Sequence, residues 1–283
     1  MTTIDGAQPV DGSSLRSHIR GLYEAGTIAG DHGARFPLAP QGVLEPDGEA
    51  LRDLALREGA VSTIETGLCY GLSTLFLCEA LAASGRPDAR HVAMDPFQTK
   101  HLHNAGLCTL REAGVDGMVE FHDRPSQLVL PELLADGRVF DLAFIDGDHR
   151  FDAVMLDLYY LHQMVRPGGL IVLDDVWMAP VRMAALYFVT NVGLEVAPSP
   201  FAGHLFRVAP AGWWQRVKGA PHPRLAVLRR PAKLPRRPWL GHFVPFADAE
   251  SGMIRVGVAK AVEQQARRRV DQARPLIRKL RGY

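Results

Sequence analysis

The amino-acid sequence predicts a doubly wound α/β fold in which a mostly parallel, seven-stranded sheet carries helices on both faces. Short β-branched or apolar runs alternate along the chain with segments whose apolar residues follow helical spacing. Turns that contain glycine or proline separate these runs, and no longer repeat is visible. The composition, with 47% hydrophobic and 22% charged residues among 283, excludes a disordered or fibrous protein.

The predicted strands and helices follow one another in alternating order. The strand at 61–66 is a β-branched run that ends in a glycine turn, and the strand at 140–145 is an apolar run that ends at Asp146. The seven strands cover residues 61–66, 90–95, 118–121, 140–145, 170–173, 194–197 and 204–208. The helices between them cover residues 72–83, 99–113, 126–135, 152–165 and 181–191.

The two ends of the chain are less regular. A helix is expected near 14–25, and the segment 30–37 is either a lid over a site or a surface loop. A helical apolar stripe recurs over 258–280, where Pro275 should kink or end the helix.

Charge divides the chain into unequal parts. Residues 1–210 carry 15 Lys and Arg against 27 Asp and Glu, whereas residues 211–283 carry 17 against 4. With the proline-rich start of the last part, this pattern predicts an N-terminal helical or lid region over 1–50, a central domain over 51–210, and a basic C-terminal extension. The extension either folds back on the acidic body or on a second subunit, or it docks an anionic partner. We expect the first, with a homo-oligomer and no nucleic-acid partner.

The sequence also predicts a compartment. No apolar run approaches the ~18 residues of a membrane span, and the N-terminus lacks the basic and apolar regions of a signal peptide. We therefore expect a cytoplasmic protein without a transmembrane segment. Cys69, Cys78 and Cys108 form no C-x-x-C pair and are expected to be reduced core thiols.

The loop after the first predicted strand has the features of a ligand site. It contains Glu65, Gly67, Gly71 and Ser73, and its glycines let a ligand approach the backbone at the start of a helix. The spacing E-x-G-x-x-x-G lacks an early glycine of the dinucleotide motif, which favours a cofactor without a pyrophosphate over NAD. An ordinary glycine-rich turn is the alternative.

Two further strand ends carry polar residues. Asp95 follows the second strand, where an acid is placed to accept hydrogen bonds from ribose hydroxyls or, alternatively, to cap a helix. Ser126 and Gln127 follow the third strand and either contact an adenine edge or begin a helix.

Carboxylates are concentrated after the fourth and fifth strands. Asp146, Asp148 and His149 follow one strand, and Asp174 and Asp175 follow its expected neighbour. Such a cluster repels itself unless a hard divalent cation such as Mg²⁺ relieves it. His149 is suited to removing a proton from a bound hydroxyl, unless it is a solvated loop residue. Asp148 as a helix cap and Asp175 as an exposed side chain remain alternatives.

Taken together, these motifs resemble class I S-adenosylmethionine-dependent methyltransferases, and in particular the metal-dependent O-methyltransferases, over about residues 61–208. The motifs are E-T-G-x-x-x-G-x-S, the acid at Asp95, Ser126-Gln127, F-I-D-G-D-H and R-P-G-G-L-I-V-L-D-D. The D-G-D-H and D-D pairs are most similar to bacterial macrocin-type sugar O-methyltransferases, with catechol and caffeoyl-CoA O-methyltransferases as more distant relatives.

The resemblance implies a Rossmann-like methyltransferase fold and assigns roles in cofactor binding. Gly67 and Ser73 would contact the methionine portion of S-adenosylmethionine, and Asp95 would contact the ribose. Ser126 and Gln127 would lie at the adenine. Glu65 and Gly71 complete the expected cofactor-binding set.

The resemblance also assigns the reaction centre. Asp146, Asp174 and Asp175 fall on the family's metal-ligand positions, with Mg²⁺ or another divalent cation as the expected ion. Two residues depart from the pattern of the catechol and caffeoyl-CoA enzymes. His149 stands where they have a lysine, and Asp175 replaces their asparagine.

The expected function is metal-assisted O-methylation of a small-molecule hydroxyl acceptor, a carbohydrate or another natural product, with His149 or Asp146 as the catalytic proton acceptor. Two alternatives remain open. One is a hydroxylase-like enzyme of an antibiotic pathway on the same fold, and the other is a non-catalytic binding protein that uses its basic extension.

Overall fold

The structure, a computed structural model, describes residues 12–197 and 224–235. Its helices are α1 (Gly12–Ala25), α2 (Glu45–Arg57), α3 (Leu72–Ala83), α4 (Ala105–Glu112), α5 (Ser126–Ala135), α6 (Phe151–Met164) and α7 (Ala179–Tyr187). Its strands are β1 (Thr27–Ala29), β2 (Arg35–Pro37), β3 (Ser62–Thr66), β4 (Arg90–Met94), β5 (Val119–His122), β6 (Phe140–Ile145), β7 (Val165–Leu173), β8 (Glu195–Val196) and β9 (Ala226–Arg229).

The main sheet of the described residues has seven strands in the order β5-β4-β3-β6-β7-β9-β8. The strands from β5 to β7 are parallel, and β9 runs antiparallel to both of its neighbours. The chain enters this sheet at β3 and builds outward on both sides, so the strand order reverses between β3 and β6. Ligands bind beyond the carboxyl ends of strands at such a switch point. The predicted fold class is confirmed.

The core lies on both faces of the sheet because successive side chains of a strand point to opposite sides. Along β6, Leu142 and Phe144 pack with α2 and α3, whereas Ala143 and Ile145 pack with α5, α6 and α7. Helix α3 is buried from Leu72 to Leu81, which accounts for its lack of a polar face. Helices therefore cover both faces of the sheet.

The helix expected after Asp95 differs from the structure. The helix expected over 99–113 begins only at Ala105. The chain after Asp95 forms a turn instead, in which the Asp95 carboxylate accepts the N–H of Phe97. The expected strand at 204–208 lies outside the described residues. Within the described part, β9 pairs with β7, so the sheet extends beyond the boundary expected at residue 210. The helical stripe at 258–280 also lies outside the described residues.

The N-terminal segment expected as a lid or loop forms the β1–β2 hairpin. Its connecting turn is tied to the segment before α4, since Asp31 accepts a hydrogen bond from Asn104 at 2.7 Å. The Phe36 ring lies 5.8 Å from the Tyr70 ring, centroid to centroid. The hairpin therefore packs beside the loop that follows β3.

Two simpler expectations also have outcomes. The three cysteines are free thiols, with Cys78 buried and the other two half-buried. No helix among residues 12–197 and 224–235 is long and apolar enough to cross a membrane.

Candidate active site

The loop between β3 and α3 lies in close contact with the loop after β6. Gly67 and Gly71 adopt positive φ angles of 90° and 79°, which glycine accommodates without strain. A Cβ atom at Gly67 would lie 2.2 Å from the carbonyl oxygen of Asp146. Gly67, Ser73 and Asp146 line one narrow crevice, which Gln41 borders from the N-terminal side. The two loops can approach this closely only because position 67 lacks a side chain.

Glu65 lies in the interior rather than along this crevice. Its side chain is fully buried in β3, and its carboxylate oxygen Oε1 lies 3.3 Å from Nε2 of His91 in the neighbouring strand. The same oxygen accepts a hydrogen bond from the hydroxyl of Thr74 in α3. The structure thus places Glu65 as a link between β3, β4 and α3.

Asp95 supports the glycine loop from the end of β4. Its oxygen Oδ2 accepts hydrogen bonds from the Cys69 N–H at 2.8 Å and from Gln98 Nε2 at 3.1 Å. Oδ1 accepts the N–H of Phe97 at 2.8 Å. Gln98 also donates to the Cys69 carbonyl at 2.7 Å. Asp95 therefore stabilises a turn and does not cap a helix, because α4 begins only at Ala105, and Oδ1 keeps a lone pair for a ligand.

Phe97 and Gln98 were not singled out from the sequence. Phe97 is 54% exposed close to Asp95 in the chain, which is unusual for a phenylalanine and leaves an apolar side chain open to solvent after β4. Gln98 is fully buried. In the sequence, Phe97 could have been found by its position as an apolar residue two places after Asp95, the acid that follows β4.

Ser126 and Gln127 begin α5 and have different surroundings. Ser126 hydrogen-bonds the buried Asp157 of α6, and the Thr66 hydroxyl donates to the same carboxylate at 3.0 Å. Burial raises the pKa of Asp157 to about 6, against the two hydrogen bonds that lower it. Gln127 is exposed. Ser126 is thus engaged within the protein, whereas the Gln127 side chain is open to solvent.

Asp146, His149 and Asp175 converge from the loops after β6 and β7. His149 Nε2 lies 3.5 Å from Asp146 Oδ1 and 3.4 Å from Asp175 Oδ2. One potential ligand atom from each residue falls within 4.8 Å of the others. Asp148 lies apart from this group, because its carboxylate is exposed and pairs with Arg150 at 2.6 Å.

The electrostatics of this group show that its negative charge is poorly compensated. Burial raises the pKa of Asp146 to about 7, and Asp174 and Asp175 add to this shift while His149 opposes it. The pKa of His149 is raised, chiefly by its hydrogen bond with Asp146. Two carboxylate oxygens and an imidazole nitrogen are a donor set that suits a divalent cation, so these residues fit a metal ion.

Asp174 is placed differently from its neighbour. Its side chain is fully buried and faces Arg224, with Oδ2 3.2 Å from Arg224 Nη2. Arg224 also lies 3.3 Å from Asp175 Oδ1 and 3.8 Å from Asp47 Oδ2. Burial raises the pKa of Asp47 to about 6 and that of Asp174 above its usual range. Sequence reasoning missed Asp47 and Arg224, because neither lies in a motif or after a parallel strand.

A comparison with family models finds a match over the central part of the chain. Residues 64–176 match the family described as a methyltransferase domain. Over this central stretch the chain is similar to a methyltransferase domain. The predicted resemblance is thereby confirmed, and the matched residues include every predicted site residue but neither Asp47 nor Arg224.

Curated proteins that are similar to this chain include two plant enzymes. Caffeoyl-CoA O-methyltransferase 2 of Zea mays is 33% identical over 46% of this chain and 47% of its own length. The flavonoid 3',5'-methyltransferase of Vitis vinifera is 32% identical over 43% of this chain and 50% of its own length. The chain thus spans about half the length of these curated relatives.

Solved structures show the same methyltransferase fold. The O-methyltransferase TomG from Streptomyces achromogenes, in complex with SAM, is 23% identical and superposes with a TM-score of 0.50 over 66% of this chain and 82% of its own. A putative O-methyltransferase from Klebsiella pneumoniae is 20% identical, with a TM-score of 0.54 over 81% and 93%. At these identities the likeness establishes the fold alone.

Proposed function

We propose that the protein is an S-adenosylmethionine-dependent O-methyltransferase that, assisted by a divalent cation, methylates a hydroxyl group of a carbohydrate or another natural product. One observation carries the proposal. In a methyltransferase domain, the glycine loop after β3 and the Asp146–His149–Asp175 group meet in one place at the switch point of the sheet. This arrangement can bring a cofactor and a hydroxyl acceptor together.

The cofactor would bind along the glycine loop. Backbone N–H groups at the start of α3 and the Ser73 side chain would face its methionine portion. The free lone pair of Asp95 Oδ1 would accept a ribose hydroxyl, and the exposed ring of Phe97 would pack against the adenine. The exposed Gln127 side chain is the better placed of the two residues expected at the adenine edge, because Ser126 already bonds Asp157.

The acceptor would bind at the carboxylate side of the crevice. A divalent cation held by Asp146, His149 and Asp175 would supply Lewis acidity that lowers the pKa of a hydroxyl group. The Asp146 carboxylate, whose Oδ1 lies 3.5 Å from His149 Nε2, would receive the hydroxyl proton. S-adenosylmethionine would supply the methyl group, and its sulfonium would leave as a neutral thioether when the acceptor oxygen takes the methyl carbon. Positioning supplies much of the acceleration.

The first test is a calorimetric titration with S-adenosylmethionine, with and without Mg²⁺, using NAD as the control ligand. We expect micromolar binding of S-adenosylmethionine and none of NAD. Absence of binding under both conditions would refute the methyl-transfer class and favour a binding protein.

The second test is the mass of the product formed from phenolic and sugar acceptors. Methylation adds CH₂ to the acceptor, whereas hydroxylation adds one oxygen. A product heavier by one oxygen would identify the hydroxylase alternative.

A further inference from the structure

Arg224 is largely buried and pairs with Asp174, which is one of the three carboxylates predicted to bind the metal. Arg224 Nε lies 3.4 Å from Asp174 Oδ1, and Arg224 Nη2 lies 3.2 Å from Asp174 Oδ2. Asp174 Oδ1 also accepts the N–H of Asp175 at 2.7 Å. Both oxygens of this fully buried carboxylate are therefore directed to partners within the chain.

The arginine is held in this position by the backbone around it. The Arg224 carbonyl accepts the N–H of Val176 at 3.0 Å, and β9, which begins two residues later, pairs with β7. A guanidinium stays charged in proteins. A dication at Asp174 would therefore lie next to a fixed positive charge, which disfavours metal binding by that carboxylate.

His149 stands on the opposite side of Asp175 from the arginine. Asp175 Oδ1 accepts a hydrogen bond from Trp177 Nε1 at 2.7 Å and lies 3.3 Å from Arg224. Asp175 Oδ2 faces His149 at 3.4 Å, and Asp146 approaches the same imidazole nitrogen. Each carboxylate of this group thus presents one oxygen toward His149, away from the guanidinium.

We propose that Asp146, His149 and Asp175 form the metal centre, that Arg224 holds Asp174 outside it, and that the centre selects an imidazole-binding transition ion over Mg²⁺. The inference rests on the proposed function where it makes this ion the cofactor of methyl transfer. Imidazole nitrogen suits ions from Fe²⁺ to Zn²⁺, whereas Mg²⁺ takes oxygen ligands. With His149 as a ligand, the hydroxyl proton goes to the Asp146 carboxylate.

The test measures ion selectivity on the full chain after chelator treatment. Isothermal titrations with Co²⁺ alone and with Mg²⁺ alone give the ratio of the two affinities. We expect wild-type protein to bind Co²⁺ at least about 100-fold more tightly than Mg²⁺. His149→Ala should lower this ratio at least about 10-fold, whereas the matched control His101→Ala, an exposed histidine outside the group, should leave it unchanged.

Two further variants test the role of the arginine. Asp174→Asn should change the affinities for Co²⁺ and Mg²⁺ by similar factors, so the ratio stays within about 3-fold of wild type. Arg224→Gln frees the Asp174 oxygens, so Mg²⁺ affinity should rise by about 10-fold. Circular dichroism verifies the fold of each variant, and His149→Asn replaces His149→Ala where that variant unfolds.

An unchanged ratio in the folded His149 variant would overturn the proposal, as would selective loss of Co²⁺ binding in Asp174→Asn. These readouts do not depend on methyl transfer. Selective Co²⁺ binding without S-adenosylmethionine binding would leave the metal centre standing while the proposed function fails. S-adenosylmethionine binding with no preference for Co²⁺ would do the reverse.

Discussion

The contact between the glycine loop and the β6 loop makes Gly67→Ala the sharpest stability prediction. Residue 67 has a φ angle of 90°, and a left-handed conformation costs an alanine about 1–2 kcal/mol. The added Cβ would also meet the Asp146 carbonyl oxygen at 2.2 Å. That oxygen belongs to backbone whose N–H is bonded to Thr66 at 3.0 Å, so it cannot move freely. Overpacking of this kind adds about 1–3 kcal/mol.

The expected loss is therefore about 2–5 kcal/mol, a large part of the ~5–15 kcal/mol that stabilises a typical domain. The matched control is Gly59→Ala, since Gly59 has a φ angle of 59° and nothing within 4 Å of an added Cβ. This control should lose only the conformational part, about 1–2 kcal/mol. Urea denaturation followed by circular dichroism measures both. Equal losses in the two variants would refute the argument that close packing, rather than backbone conformation, requires glycine at position 67.

Three further predictions address the site and its supports. Asp146→Asn should abolish turnover, measured by product mass, while calorimetry finds S-adenosylmethionine affinity within about 3-fold of wild type; a turnover near wild type would contradict the role of Asp146. Phe97→Ala should weaken S-adenosylmethionine binding about 10-fold yet leave the free energy of unfolding almost unchanged, because the ring is exposed. Asp157→Asn should gain stability relative to wild type as pH rises from about 4 to 6, by up to about 3 kcal/mol. The pKa of Asp157 in the folded protein lies above its ordinary value, so ionisation of Asp157 destabilises the wild-type fold, whereas the variant has no such group. Denaturation curves of both proteins at pH 4 and pH 7 measure the gain. If Asp157 ionised with its ordinary pKa, these curves would show no gain.

Much of the sheet was predictable from the sequence because local signals coincide with the fold. The strand Phe140–Ile145 and the helix Leu72–Ala83 have the bounds expected from apolar runs between turn residues. The start of α4 was not predictable from helical spacing alone, since Asp95 and Gln98 stabilise a turn through contacts with a different loop. Side-chain hydrogen bonds across loops leave no periodic trace in a sequence.

Part of the site was also predictable from the sequence. Residues that follow parallel strands were found, because the topology alone brings strand ends together. Asp47 lies at the start of a helix, and Arg224 comes before an antiparallel strand that was not predicted from the sequence. Their contact with Asp174 joins residues far apart in sequence, so only the folded chain reveals it.

Arg224 links the pairing of β9 with β7 to the charge of the site. Four carboxylates from three segments meet here: Asp47, Asp146, Asp174 and Asp175. Such a group could not stay ionised in a buried position without cations. Arg224, which lies two residues before the start of β9, supplies positive charge to Asp47 and Asp174. The side of the group that faces His149 still needs positive charge. In the proposed metal centre, pairing of β9 with β7 would determine which carboxylates remain for a metal ion, and a variant that weakens this strand pairing should alter metal selectivity along with stability.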